Sequence, residues 1–300
     1  MSSAGVKDKR PRHPPKRVFS GEVRGPQVGD TSVNRTDAQT LSKQTLDDLA
    51  AQLEAGKSES LIAFINAMAK FHRYSYLNVA MILAQKPEAS HVAGLRTWNR
   101  VNRYVRKGEK GIGIFAPMLF KEKEGQETGG KDAGRIGFRV VHVFDISQTD
   151  GEPLPEPVAV AGDASRSLDD LRRVVSERGI RLEYASDLGA AKGCSLKGLI
   201  KLAHGLTPAE AFSVLAHELA HEMMHGERQG LDRRRAELEA EAVACVLCRF
   251  AGLDSSTAHS DYIQLYQGGK ESLADSLDAI QKTASEIIEA MTNEPQAIAA

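Results

Sequence analysis

The chain has 300 residues and a mass of 32.5 kDa, which suits about two domains of ~150 residues each. Its composition, 41% hydrophobic and 26% charged, is typical of a globular protein, and no apolar run approaches the ~20 residues that a membrane helix needs, so we expect no membrane protein. With three cysteines and a basic, Pro-rich N-terminus that lacks a signal-peptide core, we expect a reducing, cytoplasmic location.

The net charge of −1 conceals an asymmetry between the two halves of the chain. Residues 1–150 carry 24 lysines and arginines against 16 acidic residues, whereas residues 151–300 carry 15 against 24. An excess of this kind indicates a polyanionic partner for the first half. An ordinary fluctuation of charge along the chain is the alternative.

The first half is predicted to begin with a disordered basic arm, residues 1–40, followed by a domain at 41–150. Within that domain, alternating apolar residues at 112–120 and 136–144 predict a long β-hairpin with a polar, Gly-rich tip. Apolar residues at helical spacing predict three helices before it, at about 46–53, 61–69 and 77–84.

A Pro-containing linker at 151–164 is predicted to precede a second domain at 165–292. A capping box, Thr207 to Glu210, with proline at the first helical position predicts the start of a helix that runs to Gly226. The other predicted elements are helices at 168–178, 235–251 and 273–291 and short strands at 181–184 and 199–202. The predicted fold class is α+β with two domains.

The predicted 207–226 helix contains an H-E-x-x-H motif. His217 and His221 lie one turn apart on one face, so both rings can reach a single Zn²⁺, and Glu218 can reach a water on that metal. A catalytic zinc needs a third protein ligand. We assign Glu237 to that role, and we expect Glu241, on the same face of the next helix, to orient a ligating histidine.

Three other groups near this motif are given structural roles. We expect Glu239, which points away from Glu237, to lie on a solvated helix face, and His225 to interact with the helix C-terminus. Cys245 and Cys248 sit at i and i+3 with no second pair, which favours buried small side chains over a metal or redox site.

The sequence HELAHEMMH followed by ELEAEAVAC resembles the ImmA/IrrE-type zinc metallopeptidases. The resemblance implies a small zincin-like α+β domain with an edge strand near 199–202 beside the active helix, where an extended peptide substrate could add. It implies hydrolysis in which zinc acidifies its water and Glu218 moves the proton to the leaving amine. Tyr262 or His259 could stabilise the oxyanion.

Basic and aromatic residues alternate in RTWNRVNRYVRKGEKG. Basic groups neutralise phosphates and aromatic faces stack on unpaired bases, so this mixture favours single-stranded DNA over duplex, although a basic loop around a half-buried Trp gives the same pattern. The candidate DNA-binding residues are Arg96, Trp98, Arg100, Arg103, Tyr104, Arg106, Lys107 and Lys110.

The stretch from SYLNVAMILAQ through RKGEKG to VFDISQTDG resembles the single-stranded-DNA-binding domain of ArdC-type antirestriction proteins, in which such a domain precedes a metallopeptidase-like one. The resemblance implies a protein of a mobile element or phage that shields incoming DNA from restriction. Two alternatives remain: a DNA-binding protein with a structural zinc, and a protease that removes a transcriptional repressor. The partners that the resemblance implies are single-stranded DNA and a protein or peptide substrate.

Overall fold

The computed structural model describes residues 35–56, 59–119, 136–154, 163–186, 188–226, 232–253 and 269–293. Its helices are α1 (Arg35–Glu54), α2 (Glu59–Lys70), α3 (Tyr76–Gln85), α4 (Leu95–Arg100), α5 (Ala164–Glu177), α6 (Pro208–Met224), α7 (Arg233–Phe250) and α8 (Gly269–Thr292). Its strands are β1 (Val92–Ala93), β2 (Arg103–Val105), β3 (Ile112–Leu119), β4 (Ile136–Asp145), β5 (Thr149–Gly151), β6 (Arg181–Ala185), β7 (Gly193–Ser195) and β8 (Leu199–Ala203). None of these helices is long and apolar enough to cross a bilayer.

The predicted hairpin is the centre of the first sheet. β3 and β4 pair antiparallel from Ile112 opposite Val143 to Leu119 opposite Ile136, and β1 adds to the other side of β4. The predicted tip of the hairpin lies outside the described residues. A separate two-stranded ribbon joins β2 to β5, where Gly151 has φ +140° and a Cβ would lie 2.1 Å from the Asn102 carbonyl oxygen, so glycine is required there.

The outer edge of β3 is covered by side-chain amides from α3. The Asn78 amide donates to the Phe115 carbonyl at 2.9 Å and accepts from the Phe115 N–H at 2.8 Å. Gln85 makes the same pair of bonds with Gly113, both at 2.9 Å. These two residues, seven positions apart on one helix face, satisfy the backbone groups that an edge strand otherwise leaves unpaired.

The second sheet has the strand order β6-β8-β7, with β6 parallel and β7 antiparallel to β8. The strand near 199–202 is therefore the central strand of this sheet, and the expectation that it forms the edge is wrong. The edge strand beside α6 is β7, which has only three residues and no apolar alternation that would reveal it in the sequence.

One hydrophobic core connects the two segments that we assigned to separate domains. Helix α2 packs against α7, and α1 against α8, so that Leu61 and Ile65 belong to the same buried cluster as Val243 and Leu277. The described residues belong to one compact unit. Most of the predicted linker, 155–162, lies outside the described residues.

Candidate metal centre and basic surface

Helix α6 presents the two histidines of the H-E-x-x-H motif. Thr207 caps its N-terminus by accepting a hydrogen bond from the Glu210 N–H, Glu210 accepts from the Thr207 N–H, and Pro208 occupies the first turn. The helix then runs without interruption past His217 and His221, whose rings meet edge to face at 4.7 Å on one side of it. The local capping signals in the sequence therefore give the motif the helical geometry that it needs.

The candidate metal ligands converge on one point. The Nε2 atoms of His217 and His221 are 3.0 Å apart, and Glu237 Oε2 on α7 lies 3.4 Å from the first and 3.5 Å from the second. Two nitrogen ligands at 2.0–2.1 Å from a tetrahedral zinc stand about 3.3 Å apart. The triangle of donor atoms therefore has the size that a small divalent ion requires, and its nitrogen and oxygen donors suit Zn²⁺.

Glu241 lies one helical turn beyond Glu237 and faces the other nitrogen of His217. Its Oε2 atom is 3.6 Å from His217 Nδ1. Burial lowers the pKa of His217, but the neighbouring carboxylates of Glu241, Glu218 and Glu237 outweigh this effect, so that the pKa is raised. The structure thus places Glu237 towards the ligating nitrogens and Glu241 towards the back of the ring.

Glu218 is buried beside the ligands, against the edge strand β7. Burial raises the pKa of its carboxyl group, as does the charge of Glu237, while the charge of His217 acts in the opposite direction. Gly193 on β7 makes room for it, because a Cβ there would lie 3.0 Å from Glu218 Oε1 and 2.5 Å from Val214 Cγ1. As a lone glycine in a short strand, Gly193 carries no distinguishing signal in the sequence.

The expectation that Glu239 is solvated is wrong. Its side chain is fully buried between helices, where it accepts hydrogen bonds from Arg235 at 2.8 Å and Ser276 at 2.6 Å and contacts His225 Nε2 at 3.0 Å. Burial raises the pKa of Glu239, but the hydrogen bonds from His225, Ser276 and Arg235 dominate and lower it to about 2. Glu239 does point away from Glu237, as predicted, but that side of α7 is covered by α8.

Cys245 and Cys248 are buried in α7, as small core side chains are. Burial raises the pKa of the Cys248 thiol to about 11, so it is protonated and unreactive at neutral pH. Tyr262 and His259, the candidate oxyanion stabilisers, lie outside the described residues.

The candidate DNA-binding residues divide into side chains held by contacts within the fold and exposed side chains without such contacts. Trp98 is only 3% exposed, and its indole N–H donates to the Phe144 carbonyl at 2.9 Å, so it cannot stack on a base in this structure. Arg103 donates to Thr149 and to backbone carbonyls of β5 and the residue after it, and Arg106 pairs with Glu109 and Asp150. These three side chains therefore serve the fold.

The exposed group lies on α4, β2 and the turn that follows. Tyr104 is 58% exposed, and the four exposed basic side chains of the same segment have no ion-pair partner among the described residues. The exposed group, which we call the basic surface, consists of Arg96, Arg100, Tyr104, Lys107 and Lys110.

The FDISQTDG segment holds the turn that presents this surface. Asp145 accepts from the backbone N–H groups of Ser90 at 2.8 Å and His91 at 3.0 Å. Gln148 donates to Glu109 at 3.1 Å and to the Lys110 carbonyl at 2.8 Å. The polar residues of this motif thus have a structural explanation that does not involve a ligand.

Comparisons with known proteins match this chain both by sequence and by structure. The family model for the N-terminal domain of the anti-restriction factor ArdC matches residues 39–144. An uncharacterised protein of Bacillus anthracis is 23% identical over 278 residues, and that match covers 77% of this chain but only 47% of the relative, about half of its length.

Two crystal structures of the antirestriction protein ArdC from plasmid R388 are similar to this chain, one metal-free and one with bound Mn(II). Each is 22% identical, covers 85% of this chain and 99% of its own, and superposes with a TM-score of 0.52 for the metal-free and 0.53 for the Mn(II)-bound form. At this identity the likeness establishes the fold.

Proposed function

Because residues 39–144 match the model of the ArdC N-terminal domain and the fold is similar to that of the R388 protein, we propose that this chain is an ArdC-type antirestriction protein that binds single-stranded DNA and carries a zinc peptidase centre. The metal-bound form of the R388 protein agrees with a divalent-metal site in this fold. The exposed side chains of the basic surface support the proposed DNA binding, and the contacts around α6 support the proposed peptidase activity.

The observation that carries the peptidase proposal is the arrangement of donor atoms around α6. Three donor atoms lie 3.0 to 3.5 Å from one another, and Glu237, one of the three residues, is half exposed. Structural zinc sites are closed by four protein ligands, whereas catalytic sites have three and an open position. Three ligands that reach solvent, with an additional buried carboxyl group beside them, favour a catalytic site.

The roles of the residues follow from their positions. His217, His221 and Glu237 would hold the metal, and Glu241 would orient the ring of His217. A bound divalent metal would supply a Lewis acid that polarises a peptide carbonyl and acidifies water. Glu218 would take the proton from the attacking water and deliver it to the leaving amine, and its raised pKa brings it closer to the neutral range in which one group can do both.

The basic surface supports the DNA-binding proposal. Its four basic side chains are exposed and free of acidic partners among the described residues, so they can neutralise phosphates without first breaking an ion pair. Tyr104 lies among them and offers an exposed ring for stacking on an unpaired base. Occupancy of entering DNA by this surface is a sufficient physical reason for protection against a nuclease.

The experiment that tests this proposal is Glu218→Gln in the full-length protein. It removes the proton acceptor and keeps the volume and both histidines. The matched control is Glu286→Gln, the same chemical change on the exposed part of α8. We expect both variants to retain zinc, DNA binding and plasmid protection in a restricting host, and we expect Glu218→Gln to lower peptide cleavage by about 10²–10⁴-fold.

Two outcomes would change the proposal. If the wild type and the control bind zinc but cleave no peptide, the zinc centre is structural, and the alternative of a purely DNA-binding protein is favoured. If Glu218→Gln keeps zinc and DNA binding but no longer protects the plasmid, proteolysis is the mechanism of protection.

A further inference from the structure

A third histidine continues the row of metal ligands along α6. His225 follows His221 by four residues and ends the helix, with its N–H bonded to the His221 carbonyl at 3.0 Å. Its ring lies between two partners, with Nδ1 at 3.1 Å from His221 Nδ1 and Nε2 at 3.0 Å from Glu239 Oε2. The buried carboxylate of Glu239 is thus connected to a candidate metal ligand through one imidazole.

The hydrogen-bond partners of Glu239 determine which atom donates and which accepts in the row of hydrogen bonds from Glu239 through His225 to His221. Its Oε1 atom accepts from Arg235 Nε and from the Ser276 hydroxyl, and Arg235 is itself held by Ser272 on α8. An ionised carboxylate paired with a guanidinium can only accept, so His225 Nε2 must donate to it. In a neutral imidazole the other nitrogen is then an acceptor, and His221 Nδ1 must carry the proton that faces it.

We propose that His225 and Glu239 are positioning residues that fix His221 in the tautomer with Nδ1 protonated and Nε2 free to bind the metal. This inference rests on the proposed metal site. The carboxylate of Glu241 faces His217 directly, at 3.6 Å, whereas His221 is hydrogen-bonded to His225 and reaches a carboxylate through it. Such outer hydrogen bonds orient the ring and commonly change metal affinity by 10–100-fold when removed.

The test uses two measurements on the full-length protein. The first is the ¹⁵N chemical shift of the His221 ring in metal-free protein, assigned by comparison with a His221 variant, which identifies the protonated nitrogen. The second is zinc affinity by competition with a chelating dye. The variants are His225→Phe, which keeps a ring but has no donor or acceptor, and His225→Gln, which retains both.

The matched control is His72→Phe. His72 is also a partly buried histidine, packed edge to face against Phe250 at 5.3 Å and hydrogen-bonded to a backbone carbonyl, and it is not among the candidate metal ligands or their hydrogen-bond partners. We expect wild-type His221 to have Nδ1 protonated. We expect zinc affinity to fall by about 10–100-fold in His225→Phe, to recover largely in His225→Gln, and to stay unchanged in the control.

The inference is overturned if His221 carries its proton on Nε2, or if His225→Phe binds zinc as tightly as the control. Should His225→Phe not fold, the tautomer of the wild-type ring still decides. A wild-type protein that binds no zinc would instead overturn the proposed metal centre. The two failures are distinguishable, because the tautomer of His221 is measured in metal-free protein.

Discussion

The basic surface gives the most quantitative prediction. Replacing its four basic residues by glutamine removes up to four phosphate contacts, whereas the arginines that serve the fold stay intact. Each contact with single-stranded DNA contributes about 0.7 to the slope of log K against log salt, so the slope should become shallower by about 2.8. The four substitutions are Arg96→Gln, Arg100→Gln, Lys107→Gln and Lys110→Gln.

The assay is fluorescence anisotropy with a labelled single strand, measured from 50 to 200 mM salt. Over this fourfold range of salt, a difference of 2.8 in slope means that the affinity of the wild type falls by a factor about 50 times larger than that of the variant with four substitutions. The charge-matched control replaces four exposed basic residues elsewhere, Arg166, Arg181, Lys197 and Lys282. We expect the control to keep a slope close to that of the wild type, because the residues that it replaces lie away from the basic surface. Non-specific attraction, which acts from any face, would instead change both slopes equally.

A duplex of equal length provides the second comparison. We expect the wild-type protein to bind the single strand more tightly. Equal affinities, or an equal change of slope in the control, would refute the assignment of this surface. Attention would then move to the predicted basic arm at 1–40, of which residues 1–34 lie outside the described residues and residues 35–40 form the start of α1.

Four further predictions concern individual side chains. Tyr104→Leu should weaken single-strand binding by about 1–3 kcal/mol in the same anisotropy assay without changing the salt slope, because stacking carries no charge. Elemental analysis should find more zinc lost in Glu237→Ala than in Glu241→Ala, and the reverse order would show that their roles are exchanged. Gly193→Ala should lower the free energy of unfolding by about 1–3 kcal/mol, measured in urea, because its Cβ would overlap Val214. Asp145→Asn should lower the free energy of unfolding by about 2–4 kcal/mol at pH 7, because three backbone N–H groups donate to that carboxylate. Burial raises the pKa of Asp145, but the same hydrogen bonds outweigh burial and lower this pKa. The difference in stability between the variant and the wild type should therefore shrink as the pH falls below the usual pKa of aspartate and through the folded-state pKa.

The sequence predicted those parts of the site that depend on local geometry. The spacing of His217 and His221 and the cap at Thr207 fix a helix and a face without reference to any other element. The same periodicity placed Glu239 opposite Glu237 on α7, and the structure agrees. Periodicity cannot tell how many sides of a helix are covered, and α7 is packed against α2, α6 and α8, so the side away from the metal is core.

The sequence predicts the roles of the individual side chains in the basic segment less well, for a similar reason. Whether Trp98 faces solvent depends on a carbonyl 46 residues later, and whether Arg103 is free depends on the β5 strand, which no alternating pattern announces. Charge and aromatic content locate the segment correctly, but the division between exposed and structural side chains is a property of the tertiary packing.

The amide pair on α3 has a consequence for how the protein behaves at high concentration. A bare β edge can recruit the same edge of a second copy and grow into an ordered aggregate. Asn78 and Gln85 occupy the donors and acceptors of β3 as a strand would, but they end in a helix surface that offers nothing for a further strand to join. Deamidation of either residue would place a carboxylate against a backbone carbonyl and reopen that edge, so slow chemical ageing at these two side chains is a route by which a stored preparation would lose its resistance to self-association.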